Sequence, residues 1–171
     1  MDELKKAIRD IPDFPKPGIL FRDITPLLQD AAVFQQTIDI MAAPFKDNPP
    51  DVVAGIESRG FIFGTPLALA LGVSFIPIRK PGKLPYKTRS QSYSLEYGED
   101  TIEIHEDAVK PGDRVLLVDD LLATGGTMEA AGKLVQELGG EIVEYLFAIE
   151  LAFLNGKDKL KSAPVRSLMV Y

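Results

Sequence analysis

One stretch of this sequence, RVLLVDDLLATGGT at residues 114–127, constrains the fold more than any other. Four apolar residues, Val115 to Val118, precede the acids Asp119 and Asp120. An uninterrupted apolar run of this kind is typical of a strand that is buried on both faces in a parallel sheet. Adjacent acids are unfavourable inside such a core, so we expect them at the strand's carboxyl end, where open α/β sheets bind ligands. The stretch predicts an α/β fold with a ligand site at one edge of a central sheet.

The residues that follow the acids predict a turn that binds an anion. They are small, and a helical pattern runs on from Met128 to Leu138, so backbone N–H groups and a helix N-terminus converge on one point. Neither a Walker A lysine nor a Gly-x-Gly-x-x-Gly fingerprint is present. A ribose 5-phosphate fits both halves, because Asp119 and Asp120 can accept its 2′- and 3′-hydroxyls while the turn binds its phosphate. The candidate phosphate-binding residues are Ala123, Thr124, Gly125, Gly126 and Thr127.

The segment from Val115 to Thr127 resembles the 5-phosphoribosyl 1-diphosphate motif of the type I phosphoribosyltransferases, and its form DDLLATGGT is similar to the branch that acts on adenine. The 6-oxopurine enzymes usually have an acid where Ala123 stands. The resemblance covers essentially the whole chain. It implies a single domain over residues 1–171, with a central, mostly parallel twisted sheet flanked by helices. It also implies a small N-terminal hood at about 11–28 and a mobile loop with a β-hairpin at about 80–97.

The resemblance implies an activity as well. It is the transfer of 5-phosphoribosyl from 5-phosphoribosyl 1-diphosphate to N9 of adenine, which gives AMP and diphosphate in purine salvage. In similar enzymes the cofactor Mg²⁺ is held mainly by substrate oxygens and water, so no direct protein ligand is expected. The same likeness suggests a homodimer.

Two cationic segments are candidates for binding the diphosphate. A short strand from Asp51 to Gly55 leads into Glu57-Ser58-Arg59-Gly60, which resembles the family's pyrophosphate loop, and an arginine there suits bidentate phosphate binding. A second strand, Val73 to Ile78, is followed by five basic residues, which in an acidic protein indicate a polyanionic ligand. A surface Arg–Glu pair and a solvated charge run are the structural alternatives. The predicted diphosphate ligands are Ser58, Arg59, Arg79 and Lys83.

The segment from Ile11 to Pro26 contains four prolines, so we expect an ordered extended loop here rather than a helix or a central strand. Its apolar residues argue against a plain linker. By resemblance it is the hood over adenine, with Phe21 stacked on one face of the base and Leu151 on the other. The Leu20 carbonyl would accept from the exocyclic amine, and the Arg22 N–H would donate to N1.

Glu96 is the remaining candidate, on a strand predicted from Ser92 to Tyr97 that pairs with Thr101 to Ile104. In the family the matching glutamate lies beside the purine and is discussed as a partner of its imidazole nitrogens. A plain strand acid is the alternative. The catalytic set predicted on this basis is Glu96, Asp119, Asp120, Arg59 and Lys83.

Composition limits the other possibilities. A net charge of −6 disfavours nucleic acid and anionic membranes as partners, and the absence of cysteine is consistent with a reducing cytoplasm. The uncharged run from Phe61 to Ile78 is interrupted by glycine and proline, which favours a helix, a turn and a buried strand over a membrane span. Three rival functions stay open: a phosphoribosyltransferase for another base, a non-catalytic regulator on the same fold, and a ribose-phosphate binding module without chemistry.

Overall fold

A five-stranded parallel sheet forms the centre of the protein. The computed structural model describes residues 2–94 and 98–171. Its strands are β1 Arg9–Pro12, β2 Leu20–Asp23, β3 Val52–Ile56, β4 Ser74–Ile78, β5 Thr88–Ser94, β6 Glu99–His105, β7 Arg114–Leu122, β8 Glu141–Glu150 and β9 Val165–Val170. The central sheet has the order β4-β3-β7-β8-β9, with every neighbouring pair parallel. The predicted α/β class and parallel sheet are confirmed.

Helices cover both faces of this sheet. They are α1 Asp2–Lys6, α2 Thr25–Gln29, α3 Ala31–Ala42, α4 Arg59–Leu71 and α5 Gly126–Glu137, with 3₁₀ turns at Ala43–Phe45, Ala152–Leu154 and Gly156–Lys159. The Asp30 side chain caps α3 by accepting from the N–H groups of Ala32 and Val33. None of the helices among the described residues has the length and apolarity needed to cross a bilayer.

Two apolar cores lie on opposite faces of the sheet. On one face, Phe63 and Leu67 of α4 pack with α3 against the sheet. On the other face, Met128 and Leu134 of α5 pack with Ile102 of β6. The loop before α4 and the loop before α5 therefore belong to different layers, and both open at the carboxyl edge of the strands between them.

Two antiparallel hairpins stand outside the central sheet and differ in part from expectation. The proline-rich segment is not a loop throughout, since β1 and β2 pair with Ile11 opposite Phe21. Pro12 is tolerated because the hairpin has only two strands, so an edge position needs no donor from it. In the second hairpin, β5 begins at Thr88, inside the segment predicted to be a mobile loop, and β6 begins at Glu99 rather than Thr101.

The two acids lie within β7 rather than after it. The strand continues through Leu121 and Leu122, so Asp120 is only 4% exposed instead of standing at an open strand end. The order of the sheet reverses between β3 and β7: the next strand along the chain from β3 lies on one side and β8 lies on the other. Ligand crevices of open α/β sheets form at such a reversal, which is where Asp119 and Asp120 are found.

Candidate active site

A cavity of about 370 Å³ opens at the reversal of the sheet. The ends of β3 and β7 form its floor, and the first turns of α4 and α5 border it. Its lining residues are Ile56, Glu57, Ser58, Arg59, Lys80, Tyr93, Asp119, Asp120, Leu121 and Thr127. The structure thus brings together the predicted ribose acids and two of the four predicted diphosphate residues.

A second, smaller cavity of about 80 Å³ adjoins the first. The turn between β7 and α5 forms it, with all five predicted phosphate-binding residues in its wall. Asp119, Leu121 and Thr127 line both cavities, so a ligand that fills the two is in contact with the acids and the turn at once. The size and the converging N–H groups of the smaller cavity suit one phosphate group.

Backbone contacts hold in place the turn between β7 and α5, which we call the phosphate turn because its residues are predicted to bind phosphate. Gly125 has φ of +79°, and a Cβ on it would lie 2.4 Å from the Gly156 carbonyl oxygen. A Cβ on Gly156 would in turn lie 2.2 Å from the Ala123 carbonyl oxygen. The turn therefore packs backbone to backbone against the segment that follows β8, and only glycine fits at both positions. The same reasoning applies to Gly60, where a Cβ would lie 2.9 Å from Asp119 Oδ1.

Burial and neighbouring charges both act on the carboxyl groups of Asp119 and Asp120. Burial, together with the charge of Asp120, raises the pKa of Asp119 well above its usual range. Burial also raises the pKa of Asp120, and the guanidinium of Arg59 opposes that rise, with Nε 2.8 Å from Asp120 Oδ2. Hydroxyl donors or a positive charge in the cavity would relieve this unfavourable negative charge.

The predicted diphosphate cations gather around one carboxylate. Arg79 Nε lies 2.9 Å from Glu57 Oε2, and Lys83 Nζ lies 3.2 Å from Glu57 Oε1. Arg59 lies at the start of α4, where its side chain reaches Asp120 instead. Glu57 follows β3 directly, and Arg79 and Lys83 follow the neighbouring parallel strand β4. Because the carboxyl ends of the two strands lie at the same edge of the sheet, Glu57 can pair with both basic residues.

A further group at the cavity was missed by sequence reasoning. Lys80 and Tyr93 line the cavity, and Lys80 pairs with Asp100 of β6 while its Nζ lies 3.3 Å from the Tyr93 hydroxyl. Burial alone would lower the pKa of Lys80, but hydrogen bonds to Asp100 and Tyr93 raise it above its ordinary value. These contacts fasten the β5–β6 hairpin to the end of β4. No local sequence pattern predicts these contacts, because Tyr93 and Asp100 are 13 and 20 residues away from Lys80.

Three of the four predicted adenine residues line one apolar cavity. It has a volume of about 460 Å³, and Leu20, Arg22 and Leu151 are in its wall. Phe21 alternates to the other face of β2, where its ring lies 5.3 Å from the Arg59 guanidinium carbon. The edge of β2 away from β1 has no strand partner among the described residues. Glu96, the fifth residue assigned to the base, lies outside the described residues.

Comparisons with known proteins agree with this geometry. A profile of the phosphoribosyl transferase domain matches residues 24–164. The adenine phosphoribosyltransferase of Halothermothrix orenii is 60% identical over 167 residues, which are 98% of each chain. The chain belongs to the adenine phosphoribosyltransferase family. The family and the enzyme class predicted from the DDLLATGGT motif are confirmed.

Solved structures of adenine phosphoribosyltransferases share the whole fold. The enzyme of Thermoanaerobacter pseudethanolicus superposes with a TM-score of 0.96 at 53% identity, covering 99% of both chains. The Saccharomyces cerevisiae enzyme, complexed with D-2,5-dideoxy-2,5-imino-altritol 1,6-bisphosphate and adenine, has a TM-score of 0.93 at 46% identity, covering 98% of this chain and 97% of that one. The yeast member of the family thus carries a bisphosphorylated imino-altritol and adenine on this architecture.

The raised pKa of Asp119 leads to a prediction about stability. A carboxyl group whose pKa is higher in the folded than in the unfolded state destabilises the fold as pH rises from about 4 through the folded-state pKa. We expect Asp119→Asn to raise the free energy of unfolding at pH 7 by about 1 kcal/mol, or about 2–4 °C in Tm. Calorimetry at pH 7 and pH 4.5 measures it. The gain should shrink at the lower pH, and a gain that grows there would contradict the assignment.

Proposed function

We propose that this site transfers 5-phosphoribosyl from 5-phosphoribosyl 1-diphosphate to N9 of adenine, giving AMP and diphosphate. One observation carries the proposal: the acid pair and the glycine turn line two cavities that adjoin at Asp119 and Thr127. A phosphorylated sugar spans both, with its hydroxyls on the acids and its 5′-phosphate in the turn. Adenine in the family member from yeast supports the choice of base.

The proposed roles follow from charge. Breaking the anomeric C–O bond places positive charge on the ribose ring, and the carboxylates of Asp119 and Asp120 lie where they would stabilise it. Arg59, Arg79 and Lys83 would stabilise the departing diphosphate, with Ser58 at the same loop. The Leu20 carbonyl and the Arg22 N–H would read the edge of adenine between Phe21 and Leu151. Glu96 is proposed to bind the proton on the imidazole nitrogens of adenine.

No group of three or more acidic or histidine side chains that could hold a metal ion by itself is found among the described residues, so a magnesium ion fits here as one held mainly by its substrate. The cavity offers the oxygen donors that Mg²⁺ prefers, and the raised pKa of Asp119 reports negative charge that a cation would relieve. We propose that substrate oxygens and water would hold the ion, and that Asp119 and Asp120 would act on the ribose hydroxyls rather than as its direct ligands. When bound, it would neutralise charge on the diphosphate.

The proposal extends to partners and compartment. We expect a homodimer in the cytoplasm, on family resemblance and on the absence of cysteine from the sequence. Nucleic acid and membranes are not proposed as partners, because the net charge is −6.

Product formation tests the function directly. The protein is incubated with 5-phosphoribosyl 1-diphosphate, Mg²⁺ and one base at a time, and AMP or another nucleotide is detected by mass. We expect AMP from adenine and no comparable product from hypoxanthine, guanine, xanthine or a pyrimidine. A faster reaction with another base would change the substrate, and no product with any base would favour a binding module or a regulator.

Lys83 provides a test of the diphosphate assignment. Its side chain is 52% exposed and contacts Glu57, so removing it leaves the core untouched. We expect Lys83→Ala to raise the Kd of diphosphate, measured by calorimetry, by about tenfold, because a charge-assisted contact is lost. Adenine affinity should not change. Equal weakening of both ligands would point to a damaged fold rather than to a lost diphosphate contact.

A further inference from the structure

Among the residues that the structure describes, Glu57 is the one carboxylate that pairs with two of the proposed diphosphate cations at once. Its side chain is 10% exposed, and Oε2 accepts from Arg79 Nε at 2.9 Å and from the Lys80 backbone N–H at 3.1 Å. Its other oxygen lies 3.2 Å from Lys83 Nζ. Glu57 itself lines the cavity beside Arg59. Two of the five basic side chains that follow β4, Arg79 and Lys83, are therefore already engaged by an anion within the protein.

Glu57 is charged at neutral pH in this arrangement. Burial raises the pKa of its carboxyl, but the hydrogen bonds from Lys80, Lys83 and Arg79 outweigh burial and bring the pKa below its ordinary value. Arg79 and Lys83 are not among the residues that line the cavity, and they contact it through Glu57. The two cations that do line it are also paired, Arg59 with Asp120 and Lys80 with Asp100. A diphosphate that enters must exchange partners with a carboxylate wherever it takes one of these cations.

We propose that Glu57 is an internal competitor for diphosphate: its carboxylate holds Lys83 and Arg79 in the free protein and takes them back when diphosphate leaves. The inference rests on the proposed function, which assigns the two cations to the diphosphate. Glu57 is a positioning residue, because it acts through these side chains. The exchange reduces the net attraction for diphosphate and limits how long the product stays bound.

The three partners of Glu57 differ in how exposed they are and in whether they are side-chain or backbone groups, and this difference suits the exchange. Lys83 is 52% exposed and reaches Glu57 on a flexible four-carbon stem, so it can move to a diphosphate oxygen without disturbing the core. Arg79 is 34% exposed and also contacts the Lys83 carbonyl through Nη1 at 3.4 Å. The Lys80 N–H is a backbone group that stays with Glu57. The carboxylate thus keeps one fixed donor while it exchanges its mobile partners.

Diphosphate affinity in Glu57→Gln tests the proposal. The amide keeps the shape and an acceptor for the Lys80 N–H, and it removes the charge that competes for Lys83 and Arg79. We expect the Kd of diphosphate to fall by about tenfold, as measured by calorimetry on the full chain with Mg²⁺. The inhibition constant of diphosphate should fall in parallel. The KM for adenine should not change.

Glu103→Gln is the matched control. Glu103 lies on β6, and its carboxylate accepts from the Gly82 N–H at 3.1 Å, so this variant removes one negative charge beside the same segment without freeing a cation. Its diphosphate affinity should stay within about twofold of the unchanged protein. Equal tightening in both variants would mean that general charge, and not competition, sets the affinity, and the proposal would be overturned.

A double variant separates competition from simple repulsion. If Glu57 acts through Lys83, the tightening caused by Glu57→Gln should shrink to less than about half when Lys83→Ala is also present. An undiminished effect overturns the proposal, as does unchanged or weaker affinity in Glu57→Gln with a native Tm. If Glu57→Gln lowers the Tm, the variant Glu57→Asp is used in its place. The aspartate side chain reaches less far toward Lys83, so the affinity for diphosphate should increase by an intermediate amount. Failure of the unchanged protein to bind diphosphate at all would instead refute the proposed function.

Discussion

Asp120→Asn is expected to lower kcat by about 100- to 1,000-fold, the range found when a preorganised electrostatic group is removed from a site. The carboxylate lies beside the position proposed for the ribose ring, where positive charge develops, and an amide cannot stabilise that charge. Affinity for adenine should change little, since Asp120 is not among the residues assigned to the base. Steady-state kinetics of AMP formation, with both substrates varied, measures the effect.

Stability should hardly change in this variant, although Asp120 is buried. The amide removes the repulsion between Asp120 and Asp119, which offsets the lost pairing with Arg59, and that guanidinium is 37% exposed and can turn to water. Glu144→Gln is the matched control, because Glu144 is also buried and has Arg166 Nε 2.5 Å away, but on β8 and away from both cavities. Activity in this control should be unchanged. Near-native turnover in Asp120→Asn would refute the ribose assignment.

Gly125→Ala is expected to disable the phosphate turn and to lower the free energy of unfolding by about 3 kcal/mol. Two effects add: alanine is strained at φ of +79°, and its Cβ would lie 2.4 Å from the Gly156 carbonyl oxygen. Relief requires the turn or its neighbour to move, which misplaces the N–H groups that we propose bind phosphate. The KM for 5-phosphoribosyl 1-diphosphate should rise by about 100-fold, while adenine affinity is retained.

Gly112→Ala separates strain from contact. Gly112 has φ of +87°, and nothing lies within 4 Å of a Cβ built on it, so this control has the strain without the clash. Its free energy of unfolding should fall by only about 1 kcal/mol, and its kinetics should be native. Similar losses of stability in the two variants by chemical denaturation, together with native kinetics in Gly125→Ala, would show that the packing of Gly125 against Gly156 influences neither the stability nor the site.

Much of this architecture was predictable because local pattern and tertiary role agree. Apolar runs bounded by turns identified the parallel strands, and the small residues before Met128 identified the phosphate turn. The helix after that turn begins at Gly126, two residues earlier than the pattern suggested, because glycines carry no apolar signal. The strand from Asp51 was displaced by one residue, to Val52–Ile56.

The failures share a physical cause, which is that pairing partners distant in sequence decide the outcome. The segment around Pro12 became an edge strand because β2 folds back onto it. Asp120 was expected at an open strand end, but pairing of Leu121 and Leu122 with β8 extends β7 past it. The grouping of Arg79 and Lys83 around Glu57 depends on two strands meeting at one edge. Composition of the segments alone could indicate their charge but not their partners.

The placement of the two ligand loops in different layers has a mechanical consequence. One loop leads into α4 and the other into α5, on opposite faces, and the ladder between β3 and β7 runs beneath both, from Val52 opposite Val115 to Gly55 opposite Val118. A sugar diphosphate that contacts both loops would hold the paired strands β3 and β7 together at their carboxyl ends. Amide hydrogens of β3 and β7 should then exchange more slowly once it is bound, so that occupancy of the site is recorded in the rigidity of the strands beneath it.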